Sequence, residues 1–120
     1  NGKIIQVGPP KQLYNEPESA FVASFLGGSN ILTNPKDALL FTGLTINESQ
    51  AVAIRSEHVQ VVESGGVEGE VLSRQFLGMI TEIELMVQGT KLVVKTTNNV
   101  PDTSHLSVKI VASQIVKNDL

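Results

Sequence analysis

Apolar and polar positions alternate most cleanly between Met79 and Val87. Ile83, Leu85 and Val87 fall on one side of an extended chain, and Glu82 and Glu84 on the other. Gly89 marks a tight turn, after which Leu92 and Val94 alternate with Lys91 and Lys95. This pattern predicts a β-hairpin with one buried face. Two registers satisfy it. If Gly89-Thr90 is the turn, Val87 faces Leu92, Leu85 faces Val94 and Glu84 faces Lys95. If Gln88-Gly89 is the turn, Glu82 faces Lys95. Both keep apolar residues opposite apolar ones.

The pattern from Ser29 onward is β throughout. Residues 51–55 and 59–62 read as short strands, and Ser64-Gly65-Gly66 as a turn. A longer strand begins at Val67, is interrupted by Phe76-Leu77-Gly78 and resumes at Met79. Asn98 to Ser104 is a polar loop around Pro101, and residues 108–111 and 115–116 supply the last strands. Phe41 and Phe76 sit at apolar positions and are expected in the core. Short strands separated by glycine turns predict a mainly β fold, a small barrel or sandwich.

Ahead of Ser29 the punctuation is helical. Asn1-Gly2 is a type I′ hairpin signal with only its outgoing strand, Lys3 to Val7, in the sequence. The expectation is a segment cut from a longer chain. Pro9-Pro10 can open a short helix that Pro17 ends. Glu18 and Ser19 begin a second helix to Leu26, with Phe21, Val22, Phe25 and Leu26 at helical spacing and Gly27 beyond its end. Its two Phe residues, together with Leu13 and Tyr14, either pack on the β part or belong to a preceding domain. The half-hairpin favours the second reading. The expected division is therefore residues 1–27, a remnant of an earlier domain, and residues 28–120, the β domain.

Composition narrows the chemistry. With 41% apolar residues in 120, a core can form. The net charge is −3 and the nine Lys and Arg residues are scattered, so nucleic acid is not an expected partner. Cysteine is absent, which removes disulfides, thiolate metal sites and thiol nucleophiles. His58 and His105 lie far apart without ligand spacing, and Glu82 and Glu84 read as solvated strand charges. No phosphate-binding G-x-x-x-x-G-K-[ST] loop, G-x-G-x-x-G turn or G-x-S-x-G elbow occurs. The expectation is a chain with no catalytic, cofactor-binding or metal-ligating residues of its own. No apolar run approaches the ~18 residues of a membrane span, and no signal-peptide pattern opens the sequence.

The stretch "GKIIQVGPPKQLYNEPESAFVASFLGGSNIL" resembles the end of the ATPase domain in ATP-binding subunits of importer-type ABC transporters, the maltose, polyamine, ferric-iron and sulfate group. Gly2, Ile4, Gln6 and Gly8 match its G-x-I-x-Q-x-G. Pro10, Leu13, Tyr14 and Pro17 match the next helix, and Phe21, Val22, Ala23, Phe25, Gly27 and Asn30 the one after. "AVAIRSEHVQVV" is similar to the family's I-R-P-E-x-[VI] segment through Ile54, Arg55, Glu57 and Val59. Ser56 replaces the usual Pro, which implies a looser turn. "GEVLSRQFLGMITEIELMVQGTKLVVKT" resembles the hairpin that follows, with Gly69, Val71, Gly78 and Gly89 in place.

The resemblance implies a TOBE domain, a small OB-like β-barrel, preceded by a short strand and two short helices left from the ATPase domain. It implies a non-catalytic C-terminal regulatory and dimer-contact role. The implied partners are the ATPase domain of the same polypeptide, a second copy of the subunit and membrane permease subunits. ATP and Mg would belong to the full-length parent, with no cofactor in this chain. The implied location is cytoplasmic, peripheral to the inner face of the cell membrane. Candidate interface residues are Tyr14, Phe21, Phe25, Arg55 and Glu57. An alternative is an oxyanion-sensing barrel of the molybdate, tungstate or sulfate type. "VASQIV" resembles the closing strand of such domains and "TTNN" stands at their Thr-x-x-Ser loop, while Ser73 to Phe76 only partly echoes their S-A-R-N.

Overall fold

A computed structural model describes residues 19–120. The proposed short helix and strand before Ser19 lie outside the described residues. The rest forms two compact units, one comprising the chain up to Ile54 together with Ser113–Leu120, the other Arg55–Ala112.

In the first unit, helix α1 spans Ala20–Leu26. The Ser19 side chain accepts a hydrogen bond from the Val22 amide at 3.2 Å, satisfying one of the unpaired donors of the first turn. Strand β1 (Ser29–Leu32) follows. Next comes helix α2, Pro35–Thr42, where the sequence pattern predicted only strands. Its determinants are local. Asn34 caps it by accepting from the Lys36 amide at 2.8 Å, Pro35 opens it, and the Gly43 amide closes on the Leu39 carbonyl at 2.9 Å. Ala38 and Phe41, three apart, give it a buried face, so Phe41 is in the core as expected.

Strand β2 (Gln50–Arg55) lies between β1 and β8 (Gln114–Lys117) in a three-stranded sheet. The β2–β8 pair is antiparallel, with Ala51 opposite Val116. Ala20 and Ala23 of α1 pack with Ala51, Ala53 and Val116, with Ile31 at the margin. Small side chains on both surfaces allow this close approach. Ser19 bridges Lys117, and the Phe21 amide donates to Asp119 Oδ1 at 2.8 Å, so the chain's last residues tie down the start of α1.

The second unit opens with a 3-10 turn, Ser56–His58, followed by β3 (Val59–Val62), β4 (Val67–Phe76), β5 (Thr81–Val87), β6 (Thr90–Thr96) and β7 (His105–Ile110). These strands form one antiparallel sheet in the order β3-β7-β4-β5-β6. The outer strands β3 and β6 approach one another, so the sheet curls toward closure. This is the β-rich, OB-like fold the sequence implied. Ile83, Leu85, Val87, Leu92 and Val94 are fully buried on its concave face.

The β5–β6 hairpin adopts the second of the two registers: Glu82 pairs with Lys95, Ile83 with Val94 and Leu85 with Leu92. Gln88 (φ 49°) and Gly89 (φ 85°) both take positive φ, the type I′ geometry whose twist matches the strands. Gly69 is required for a different reason. A Cβ there would stand 2.6 Å from Val87 Cγ2, so only glycine lets β4 cross that side chain.

Two expectations are corrected here. The predicted interruption at Phe76-Leu77-Gly78 is a reversal, closed by the Leu77 amide donating to the Ile80 carbonyl at 2.7 Å. Strands β4 and β5 are therefore antiparallel neighbours, with a bulge between Val71 and Ser73. And Phe76 is 74% exposed rather than in the core. The reason is that β7 pairs with β4 only over Val67 to Glu70, which leaves the far end of β4 with β5 alone beside it.

Candidate interface and cleft

Of the proposed interface residues, Tyr14 and the Phe25 side chain lie outside the described residues. Phe21 is half-buried on α1, next to the buried Ala20, Val22 and Ala23.

Arg55 and Glu57 are brought together by the 3-10 turn. Arg55 ends β2 in an extended conformation and its side chain is buried, whereas Glu57 stays largely in solvent, with Nε to Oε1 3.8 Å apart. A guanidinium keeps its charge when buried, so a carboxylate at the solvent edge offsets part of the desolvation cost. Ser56 sits between them, buried, and its carbonyl accepts from the Val59 amide. The turn where the resemblance places a proline is a 3-10 turn here. The 3-10 hydrogen bond closes it, and the Val111 amide bonds to the His58 carbonyl at 2.9 Å just beyond.

A cleft of about 440 Å³ opens beside the loop of residues 97–104, with Val61, Val100 and Leu106 supplying apolar lining and Thr96, Asn98, Asn99 and Ser107 polar lining. Glu63 and His105 also face it. Arg74 holds this loop: its Nη2 donates to the carbonyls of Pro101 (2.8 Å) and Thr103 (2.7 Å). Thr103 Oγ1 donates to the His105 carbonyl at 2.6 Å, and Ser104 Oγ lies 3.0 Å from His105 Nδ1. The lining offers amides and hydroxyls suited to hydrogen bonding, with one carboxylate and no Lys or Arg. Sequence reasoning picked out Thr96 to Asn99, and Arg74 only within the partial S-A-R-N echo; its hold on the loop was not legible, because a guanidinium reaching 27 and 29 residues along the chain leaves no local pattern.

On the outer face of the sheet, Glu84 accepts from Ser73 Oγ at 2.8 Å and lies 2.8 Å from Lys91 Nζ. The Lys91 hydrogen bond, then that of Ser73, hold the Glu84 carboxyl below the usual carboxylate range. Glu84 is thus a paired charge on the outer face of the strand, with Glu82 two residues before it opposite Lys95 in the register. Among the described residues no three His, Asp or Glu side chains cluster as metal ligands, and no helix is long and apolar enough to cross a membrane.

Residues 52–109, essentially the five-stranded sheet with the end of β2, match the TOBE domain model. The chain belongs to this family: it is a TOBE-domain segment of the kind carried by ATP-binding subunits of ABC importers. It is 33% identical to the spermidine/putrescine import ATP-binding protein PotA of Clostridium acetobutylicum over 95% of its own length and 36% of the relative's. To PotA of Clostridioides difficile it is 34% identical over 95% of this chain and 37% of that protein. To PotA of Desulfitobacterium hafniense it is 39% identical, over 75% of this chain and 29% of the relative. The chain spans about a third of the length of the curated relatives it matches.

Proposed function

We propose that this chain is a non-catalytic accessory domain of an import ATP-binding subunit, one that contacts a second copy of the subunit and regulates its ATPase. The observation that carries the reading is the alignment with import ATP-binding proteins over nearly the whole chain, together with the TOBE match on the barrel. In this reading residues 1–27 adjoin the ATPase domain and residues 28–120 form the accessory β domain. ATP and Mg act in the parent. This chain's sequence has no phosphate-binding loop to hold them, so no step of hydrolysis runs through it. The parent works with membrane permease subunits at the inner face of the cell membrane, and the relatives' name supports polyamines as its cargo class.

The test compares three proteins: this chain alone, the full-length subunit, and the subunit lacking residues 28–120. The chain alone is expected to hydrolyse no ATP, and the deletion to keep hydrolysis while altering its regulation. ATP turnover by the isolated chain would refute the assignment.

A second reading, an oxyanion sensor, draws on the amides and hydroxyls of Thr96, Asn98 and Asn99 in the cleft. Glu63 in the same lining repels an anion, and no Lys or Arg of the lining offsets it. Calorimetry with molybdate, tungstate and sulfate separates the two readings: heat of binding supports the sensor, and its absence supports the accessory domain.

A further inference from the structure

We propose that the tip of the β4–β5 hairpin, Phe76 to Ile80, is the surface on which a second copy of this chain docks. The inference rests on the dimer-contact reading above and names its site. Phe76, Leu77, Met79 and Ile80 are 74%, 51%, 85% and 40% exposed. Apolar residues scattered singly over a surface need no explanation, but four within five positions form a patch.

The patch follows from the register. Arg74 pairs with Ile83, which is fully buried on the concave face, and Phe76 lies two residues further along β4 on that same face. The inner face of the hairpin, apolar on β5 and interrupted on β4 by Arg74, thus extends past the point where β4 pairs with β7. It is also held in place. The Leu77–Ile80 hydrogen bond closes the tip, and Arg74 anchors its base to the carbonyls of Pro101 and Thr103. A surface ordered in advance loses little entropy on docking.

Area and charge favour a second copy as the occupant. At roughly 200 Å² for a large apolar side chain, the four residues expose about 500 Å². Two tips meeting about a two-fold axis then bury up to about 1,000 Å², the threshold for a specific interface. A two-fold contact sets the same patch against itself, which a charged tip would resist. This tip is uncharged from Phe76 to Thr81, and the first charged positions beyond it on the outer face, Glu82 and its cross-strand partner Lys95, are opposite in sign.

The chain has no cysteine, so Met79→Cys introduces a single thiol at the tip. Under mild oxidation this variant is expected to form a disulfide-linked dimer at least tenfold faster than Glu68→Cys, an exposed control elsewhere on β4. Sedimentation equilibrium is expected to show a chain dimer that the Phe76→Ser/Met79→Ser double variant weakens at least tenfold. Both positions are exposed, and circular dichroism checks that the variant folds. If the chain dimerises but Met79→Cys crosslinks no faster than the control and the double variant keeps its affinity, the tip is not the docking surface and the dimer-contact reading survives. If the wild-type chain stays monomeric at every concentration, the dimer-contact reading itself fails, and this inference with it.

Discussion

Glu84 illustrates how a residue's state depends on two neighbours that lie seven and eleven positions away. Lys91 and Ser73 each hydrogen-bond its carboxylate, and both stabilise the charged form. The sign of the pH effect follows. A carboxyl whose folded-state pKa is depressed contributes stability that is present above the unfolded-state pKa and lost as pH falls through the folded-state value. Lys91→Met removes the larger cause, so the Glu84 midpoint is expected to move up toward the ordinary carboxylate range in an NMR pH titration. Added salt is expected to move the wild-type midpoint the same way, because the pair is exposed to screening. Alternation placed Glu84 on the solvated face, but the identity of its partner was not legible. The candidate registers set it against Lys95 or left it unassigned, whereas in the fold it reaches diagonally to Lys91.

At the scale of elements, the turn decides what the strands leave open. Either hairpin register buries Leu92 and Val94. The observed one places Gln88 at φ 49°, a conformation that costs an ordinary side chain and suits Asn. Gln88→Asn is therefore expected to raise stability by about 0.5–1 kcal/mol with the register unchanged, measured by urea unfolding and by cross-strand contacts in NMR spectra. Helix α2 was missed because only Ala38 and Phe41 of its eight residues carry the helical period inward, while Leu39 and Leu40 remain exposed. Its true signals were the caps, Asn34-Pro35 ahead and Gly43 behind, which act on the backbone independently of hydrophobic pattern. The reversal at Leu77–Ile80 was read as a pause in one strand for the complementary reason: its flanks are apolar on both sides, so no polar turn cluster announced it.

Across the whole molecule, apolar residues that look alike in sequence have opposite roles. Ile83 is fully buried and Phe76 largely exposed. Ile83→Ala is expected to cost about 2–5 kcal/mol through lost burial and a cavity. Phe76→Ala, in dilute monomeric chain, is expected to stay within about 0.5 kcal/mol of wild type. Paired urea denaturation curves check both. By itself the sequence determined the mainly β class, the apolar faces of β5 and β6 and the family resemblance, because alternation, turn glycines and short motifs are properties of adjacent residues. Only the tertiary structure decided the strand order, the hold of Arg74 on the loop beside the cleft and the exposure of the β4–β5 tip. Those depend on which distant strands pair and where each pairing stops. β7 covers β4 as far as Glu70, and nothing near Phe76 in the sequence encodes that end point.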